Sequence, residues 1–229
     1  MASEAPVRIA WCGQACFILE SGGFRAVLDP IPPTLGYPPL NVTADLVTVS
    51  HEHGDHNHVA AVGGEPLILR GLTGGGSGWA TIDQRVGPVH VRSVPAYHDD
   101  AQGAKRGRNA IFILEWSGLR FVHLGDLGHL LDTAAVQAIG RVDVLFVPVG
   151  GYFTIDAAQA TAVVDQLKPA VVIPMHYRTP ALGGRLPIAT AEAFLAGKAA
   201  VRRFGSSVEV SPGKLPGRRE VWALAPPGT

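Results

Sequence analysis

The 229-residue chain is 47% apolar and 17% charged, and 19 Lys and Arg balance 19 Asp and Glu at a pI near 7.1. With no net basic field, a general nucleic-acid binder is excluded, and the short basic runs at 104–108 and 202–203 read as solvated surface. No window approaches a membrane-spanning apolar length, and the opening MASEAPVRIAW lacks a basic-then-apolar leader, so the expectation is a soluble cytoplasmic protein without membrane contacts.

The first third reads as strands. Residues 7–21 and 24–30 are apolar and β-rich, and Gly22-Gly23 between them fits a hairpin turn. Strands follow at 44–50, 66–71 and 89–97, with a glycine loop at 73–78. A second hairpin spans 110–126 and turns at Ser117-Gly118. Beyond it the pattern changes to helix at 131–140, strand at 142–149, helix at 155–167, strand at 170–175, helix at 190–198 and a last strand at 207–212. Strands early and αβ units late, with no shift in composition between them, predict one layered α/β domain over 1–229 with mixed sheets. Cys12 and Cys16, the only cysteines, read as free thiols in a strand.

The segment SHEHGDHNHV, 50–59, holds four of the nine histidines. Such a density of imidazole and carboxylate asks for metal. In extended chain, alternate side chains share a face, so His51, His53 and Asp55 converge, and a bend after Gly54 brings in His56. Two imidazoles serve one ion, and Asp55 with His56 serves a second beside it. A catalytic ion needs about three protein ligands and an open position for water, so more must come from elsewhere. His98, Asp126 and His176 qualify, because each ends an apolar strand as His51 does. The H-E-x-x-H pattern fails at Asp55, and an oxygen-reducing di-iron variant would carry a carboxylate where His53 stands. His58, His90, His123 and His129 are left for surface or supporting roles.

With H-x-H-x-D-H standing at His51, His53, Asp55 and His56, the chain resembles the metallo-β-lactamase superfamily, and within it the UlaG-like metal-dependent hydrolases. The stretches WCGQACFILESGGFRAVLDP, HLGD and VPVGGYFTIDAAQA…VVIPMHY carry the same resemblance along nearly the whole chain. It implies an αββα sandwich of two mixed sheets flanked by helices. It implies that His51, His53 and His98 hold one metal, that Asp55, His56 and His176 hold a second, and that Asp126 bridges them. Asp29 in LDP would orient a ligand. Gln14 departs from a histidine common in relatives, and GDLGH departs from the usual GDT.

Two divalent ions about 3.5–4 Å apart lower the pKa of a shared water toward 7, and the hydroxide attacks a polarised carbonyl or phosphoryl centre. Asp55 is the catalytic candidate, aiming the nucleophile. The ligand set suits zinc, and manganese or iron accept it too. The expected substrate is a small molecule with an ester-type bond, a lactone ahead of a phosphodiester; a phosphodiesterase or a non-catalytic metal-binding protein are the alternatives. Tyr152, Tyr177 and Arg178 flank the inferred site in sequence, with Arg178 the basic candidate for a substrate anion. Oligomeric state has no signature in the sequence.

Overall fold

The computed structural model describes residues 5–228; the first four residues of the opening read for a leader, and residue 229, lie outside them. Two mixed sheets stack face to face. One has six strands, in the order Ser207–Val210, Val7–Gly13, Cys16–Ser21, Phe24–Leu28, Leu46–Val49 and Leu67–Arg70. The other has eight: Asp83–Val86, Val89–Tyr97, Arg108–Trp116, Leu119–His123, Val144–Pro148, Val171–Met175, Glu220–Leu224 and Val201–Phe204.

Strand alternation builds two cores. Phe17, Leu19, Ala26, Leu28 and Leu46 face the space between the sheets, where they meet Phe112, Phe121 and Phe146. Their neighbours Cys16, Val27, Val47 and Val49 face the other way, under Ile31, Tyr37, Leu182 and Ile188 from irregular segments. The helices Thr133–Ile139 and Ala157–Leu167 cover the eight-stranded sheet. The longer buries Ala160, Val163, Val164 and Leu167, and begins with a capping box between Asp156 and Gln159. The αββα sandwich is therefore present, with its first sheet closed largely by loop. Among the described residues no helix is long and apolar enough to cross a membrane.

Several elements differ from the sequence expectation. Residues 7–21 form two strands, because the chain reverses at Gln14, whose φ is +47°. The helix expected at 190–198 is only Glu192–Leu195, and the strand expected at 207–212 is Ser207–Val210, which pairs with Val7–Gly13. Three strands of the two large sheets went unread. Asp83–Val86 is polar and exposed at a sheet edge, Val201–Phe204 is an edge strand interrupted by two arginines, and Glu220–Leu224 follows a Pro/Gly/Arg stretch that reads as loop.

Candidate metal centre

The strands ending before Asp29, Ser50, His98, Asp126 and His176 have their carboxyl ends at one rim of the sandwich. Phe24–Leu28 and Leu46–Val49 are parallel, as are Leu119–His123, Val144–Pro148 and Val171–Met175. Val89–Tyr97 has the same sense, through its antiparallel pairing with Arg108–Trp116. The two sheets are stitched here, since Ser50 N–H donates to Asp29 Oδ1 at 2.7 Å and Ala110 N–H donates to Ser50 O at 3.0 Å.

All seven sequence-predicted side chains meet at this rim. Asp126 Oδ2 lies 3.1 Å from His98 Nε2, 3.2 Å from both His56 Nε2 and His176 Nε2, and 3.8 Å from His51 Nε2. His53 Nδ1 is 3.1 Å from His51 Nε2, and Asp55 Oδ2 is 3.6 Å from His56 Nε2. Two ligand triads result, His51 with His53 and His98, and Asp55 with His56 and His176. A third geometric grouping, Asp29 with His51 and His56, is a support: Asp29 already accepts from Ser50 N–H, Ser50 Oγ at 2.5 Å and His56 Nδ1 at 2.9 Å. Among the described residues, Asp126 Oδ1 and His56 Nε2 are buried without a hydrogen-bond partner. Orphaned donors and acceptors in so polar a cluster fit a divalent cation with nitrogen and oxygen ligands.

The electrostatics prepare the site. Burial, then the neighbouring His56 charge, pushes His51 well below the ordinary imidazole range; burial and His98 lower His53 too. Both are therefore neutral at neutral pH, with lone pairs free. Burial also opposes a charged His56, yet Asp126 and Asp55 outweigh it and hold that proton well above the usual range. Burial disfavours an ionised Asp126, and His176 and His56 reverse it, so the carboxylate persists far below its ordinary pKa. Metal must displace the His56 proton, so metal affinity should fall as pH falls through the neutral range, with protons released on uptake. Calorimetric metal titration in two buffers of different ionisation enthalpy measures that release; uptake independent of pH and buffer would contradict this reading.

His51 and His56 are oriented by hydrogen bonds on their outer nitrogens: His51 Nδ1–H donates to Ser50 Oγ at 3.0 Å, and His56 Nδ1–H donates to Asp29. Among the described residues His98 and His176 have no partner at Nδ1, and they are held through their main chain instead. His176, at φ +50°, donates its N–H to Gln14 O and receives Gly150 N–H at its carbonyl, both at 3.1 Å. A β-carbon at Gly150 would sit 2.3 Å from His176 O. His98 is anchored through Tyr97, whose carbonyl accepts from Gly128 N–H and whose N–H donates to His129 Nε2, both at 3.0 Å. At Gly128 a β-carbon would meet the His98 carbonyl carbon at 2.3 Å. The GDLGH departure thus has a use, because Gly128 and His129 clasp the strand end that carries His98. Gln14 Nε2 stands 3.5 Å from His176 Nε2.

The remaining histidines separate from the cluster. His123 is buried with Nε2 against Ala15 O at 2.8 Å, and His90 lies between Asp83 and Glu115 on the surface. His58 contributes its backbone N–H to Pro30 O. His58→Ala and His90→Ala should leave hydrolysis within a few-fold, as steady-state rates of the two variants will report.

A cavity of about 380 Å³ opens over the cluster. His53, Asp55, His98, Asp126 and His176 line it, with Leu35, Phe153 and Leu186 as apolar wall. Arg178 and Tyr177 are not part of it; they line a separate cleft with Glu192 and Arg203, so Arg178 is not the cation facing the cluster. That position belongs to Lys105 and Arg106, from the basic run read as solvated surface. Tyr152 is exposed beside Arg106. Their signal was the placement of AKRGR a few residues after His98.

Residues 8–176 match the family described as the beta-lactamase superfamily domain. The chain is 33% identical over 201 residues to a UPF0173 metal-dependent hydrolase of Archaeoglobus fulgidus, covering 76% of this chain and 84% of that one. It is 32% identical over 192 residues to a metal-dependent hydrolase of Thermococcus kodakarensis, covering 76% and 85%. Among solved structures, a Thermotoga maritima protein assigned to the Zn-dependent hydrolases of the metallo-β-lactamase superfamily superposes with a TM-score of 0.76 at 36% identity, covering 95% of this chain and 98% of that one.

Proposed function

This chain belongs to the metallo-β-lactamase superfamily and is a metal-dependent hydrolase, and from that premise we propose that it cleaves an ester-type bond in a small molecule, a lactone ahead of a phosphodiester, at a two-metal centre. The observation that carries the reading is the convergence of four imidazole Nε2 atoms on Asp126 Oδ2 between two complete ligand triads. His51, His53 and His98 would hold one ion, Asp55, His56 and His176 the other, and Asp126 both. The mixed nitrogen and oxygen set favours zinc, with manganese or iron as substitutes. Bound there, such ions supply a water of lowered pKa and a Lewis acid for the scissile carbonyl.

The chain's own residues do the rest. Burial would raise the Asp55 carboxyl, but adjacent His56 keeps it ionised, below the ordinary carboxylate range. Its side chain is 29% exposed toward the cavity, so it can accept a hydrogen bond from the attacking water and aim it. Leu35, Phe153 and Leu186 exclude bulk water on one side, which strengthens the electrostatics inside. A cavity of about 380 Å³ suits a small molecule.

Elemental analysis of protein purified without chelator should approach two equivalents of metal, and His176→Ala should lower that to about one. A stoichiometry fixed at one after metal supplementation overturns the two-metal reading. Matched lactone and phosphodiester panels compared by kcat/KM decide the substrate ranking.

A further inference from the structure

The loop after His98 is built to present a cation. Asp99, buried beside the ligand histidine, accepts four backbone N–H groups: Ala101 at 2.8 Å and Gly103 at 2.9 Å on Oδ1, Lys105 at 3.0 Å and Arg106 at 2.7 Å on Oδ2. Gly107 N–H donates to Gly103 O at 3.0 Å, and His98 N–H donates to Gly107 O at 3.1 Å, which ties the loop back to the site. A buried carboxylate whose oxygens are taken by backbone N–H groups fixes loop shape and, among the described residues, forms no ion pair with Lys105 or Arg106.

The two cations of this loop are used differently. Lys105 Nζ is paired with Asp100 at 2.7 Å on the surface. Arg106 has no carboxylate within ion-pair distance among the described residues; its guanidinium lies over the rings of Phe153 at 5.6 Å and Tyr152 at 5.9 Å. The rings restrain the side chain and leave its N–H edges for a ligand. Arg106 and Phe153 line the same cavity as Asp126 and His176, so a molecule reacting over the cluster reaches the guanidinium without leaving the pocket.

We propose that Arg106 is the substrate-anion receptor of this pocket, so that the substrate is an ester or lactone carrying a carboxylate remote from the scissile bond and an apolar segment lying on Phe153, Leu35 and Leu186. The inference rests on the hydrolase reading above. A carboxylate fits better than a phosphate monoester, because a single unpaired guanidinium gives one bidentate contact and the neighbouring Lys105 is already engaged.

The test has a binding arm that needs no turnover. Glutarate and butyrate are titrated into the metal-loaded protein; they share one carboxylate for the metals, and only glutarate has a second for Arg106. Wild type should bind glutarate about tenfold or more tightly than butyrate, Arg106→Gln should erase the difference at unchanged metal content and butyrate affinity, and Arg106→Lys should keep part of it. Equal affinities in wild type, or a preference that survives in Arg106→Gln, overturn the assignment. So does Arg106-dependent binding of 3-phosphonopropionate well above glutarate, which would make the anion a phosphate type. In turnover, mono(4-nitrophenyl) glutarate should exceed 4-nitrophenyl butyrate in kcat/KM through KM, and Arg106→Gln should level them. If neither ester is cleaved while the glutarate preference holds, the receptor stands and the ester reading alone fails.

Discussion

Asp126→Ala should lower hydrolysis by about 10³-fold or more, because the group it removes faces both ligand triads and several kcal/mol of metal-based stabilisation depends on those triads being filled. Asp126 is 2% exposed, and its Oδ2 is within 3.8 Å of four imidazoles. No other carboxylate can replace it from its place, since Asp29 is consumed by Ser50 and His56, and Asp55 faces only the second triad. The backbone should hold, since Asp126 N–H donates to Asn109 Oδ1 and Asn109 Nδ2–H donates to Leu124 O, neither of which needs the Asp126 side chain. Circular dichroism should therefore stay native while metal content collapses. Loss of Asp126 also removes the main attraction that holds the His56 proton against burial, so residual metal uptake should become less sensitive to acid. A variant with two equivalents of metal and activity within tenfold of wild type would remove Asp126 from the centre of the site.

The clustering of these seven side chains was legible because its signals are local. H-x-H-x-D-H is contiguous, and His98, Asp126 and His176 each stand directly after an apolar strand, which in a layered fold puts them at a rim. What holds them there was not legible. The clasp between Tyr97, Gly128 and His129 joins segments about thirty residues apart through the Tyr97 backbone groups, whose partners no local sequence pattern announces. The turn at Gln14 was hidden in an unbroken β-like run; it is set by a left-handed residue whose carbonyl is claimed by His176 N–H and Trp11 Nε1–H. Arg106 and Arg178 changed places for a related reason. Arg178 follows a ligand by two residues, but past His176, itself at φ +50°, it lines a separate cleft, while Arg106 is returned to the cavity by the loop folded around Asp99. Sequence distance from a ligand is a poor guide where the chain turns through left-handed residues.

Asp29 is where ligand chemistry and fold stability meet, and two substitutions there should separate them. Its carboxylate is fully buried, and it receives Ser50 N–H, Ser50 O–H and His56 Nδ1–H while its own N–H donates to Thr48 O at 2.9 Å. By taking the Nδ1 proton it fixes the His56 tautomer whose Nε2 lone pair faces the cluster. Asp29→Asn keeps the shape and tolerates the left-handed φ of +45°. Its amide oxygen can serve Ser50 N–H, which turns the NH₂ group toward Ser50 Oγ and His56 Nδ1. An imidazole facing an N–H donor must accept there and carry its proton on Nε2, where metal would bind. The expected result is a second ion held about 10–100-fold more weakly, a first ion little changed, and a metal-free melting temperature lowered less than in Asp29→Ala. Asp29→Ala should weaken metal similarly and also destabilise the metal-free fold. It leaves buried donors unpartnered, at about 1–3 kcal/mol each, and puts alanine in a left-handed position that costs roughly 1–2 kcal/mol more. Metal titration and thermal melts of the two variants read these effects separately. Full second-ion affinity in Asp29→Asn would mean that His56 chooses its tautomer without Asp29, and the support role assigned to this carboxylate would fall.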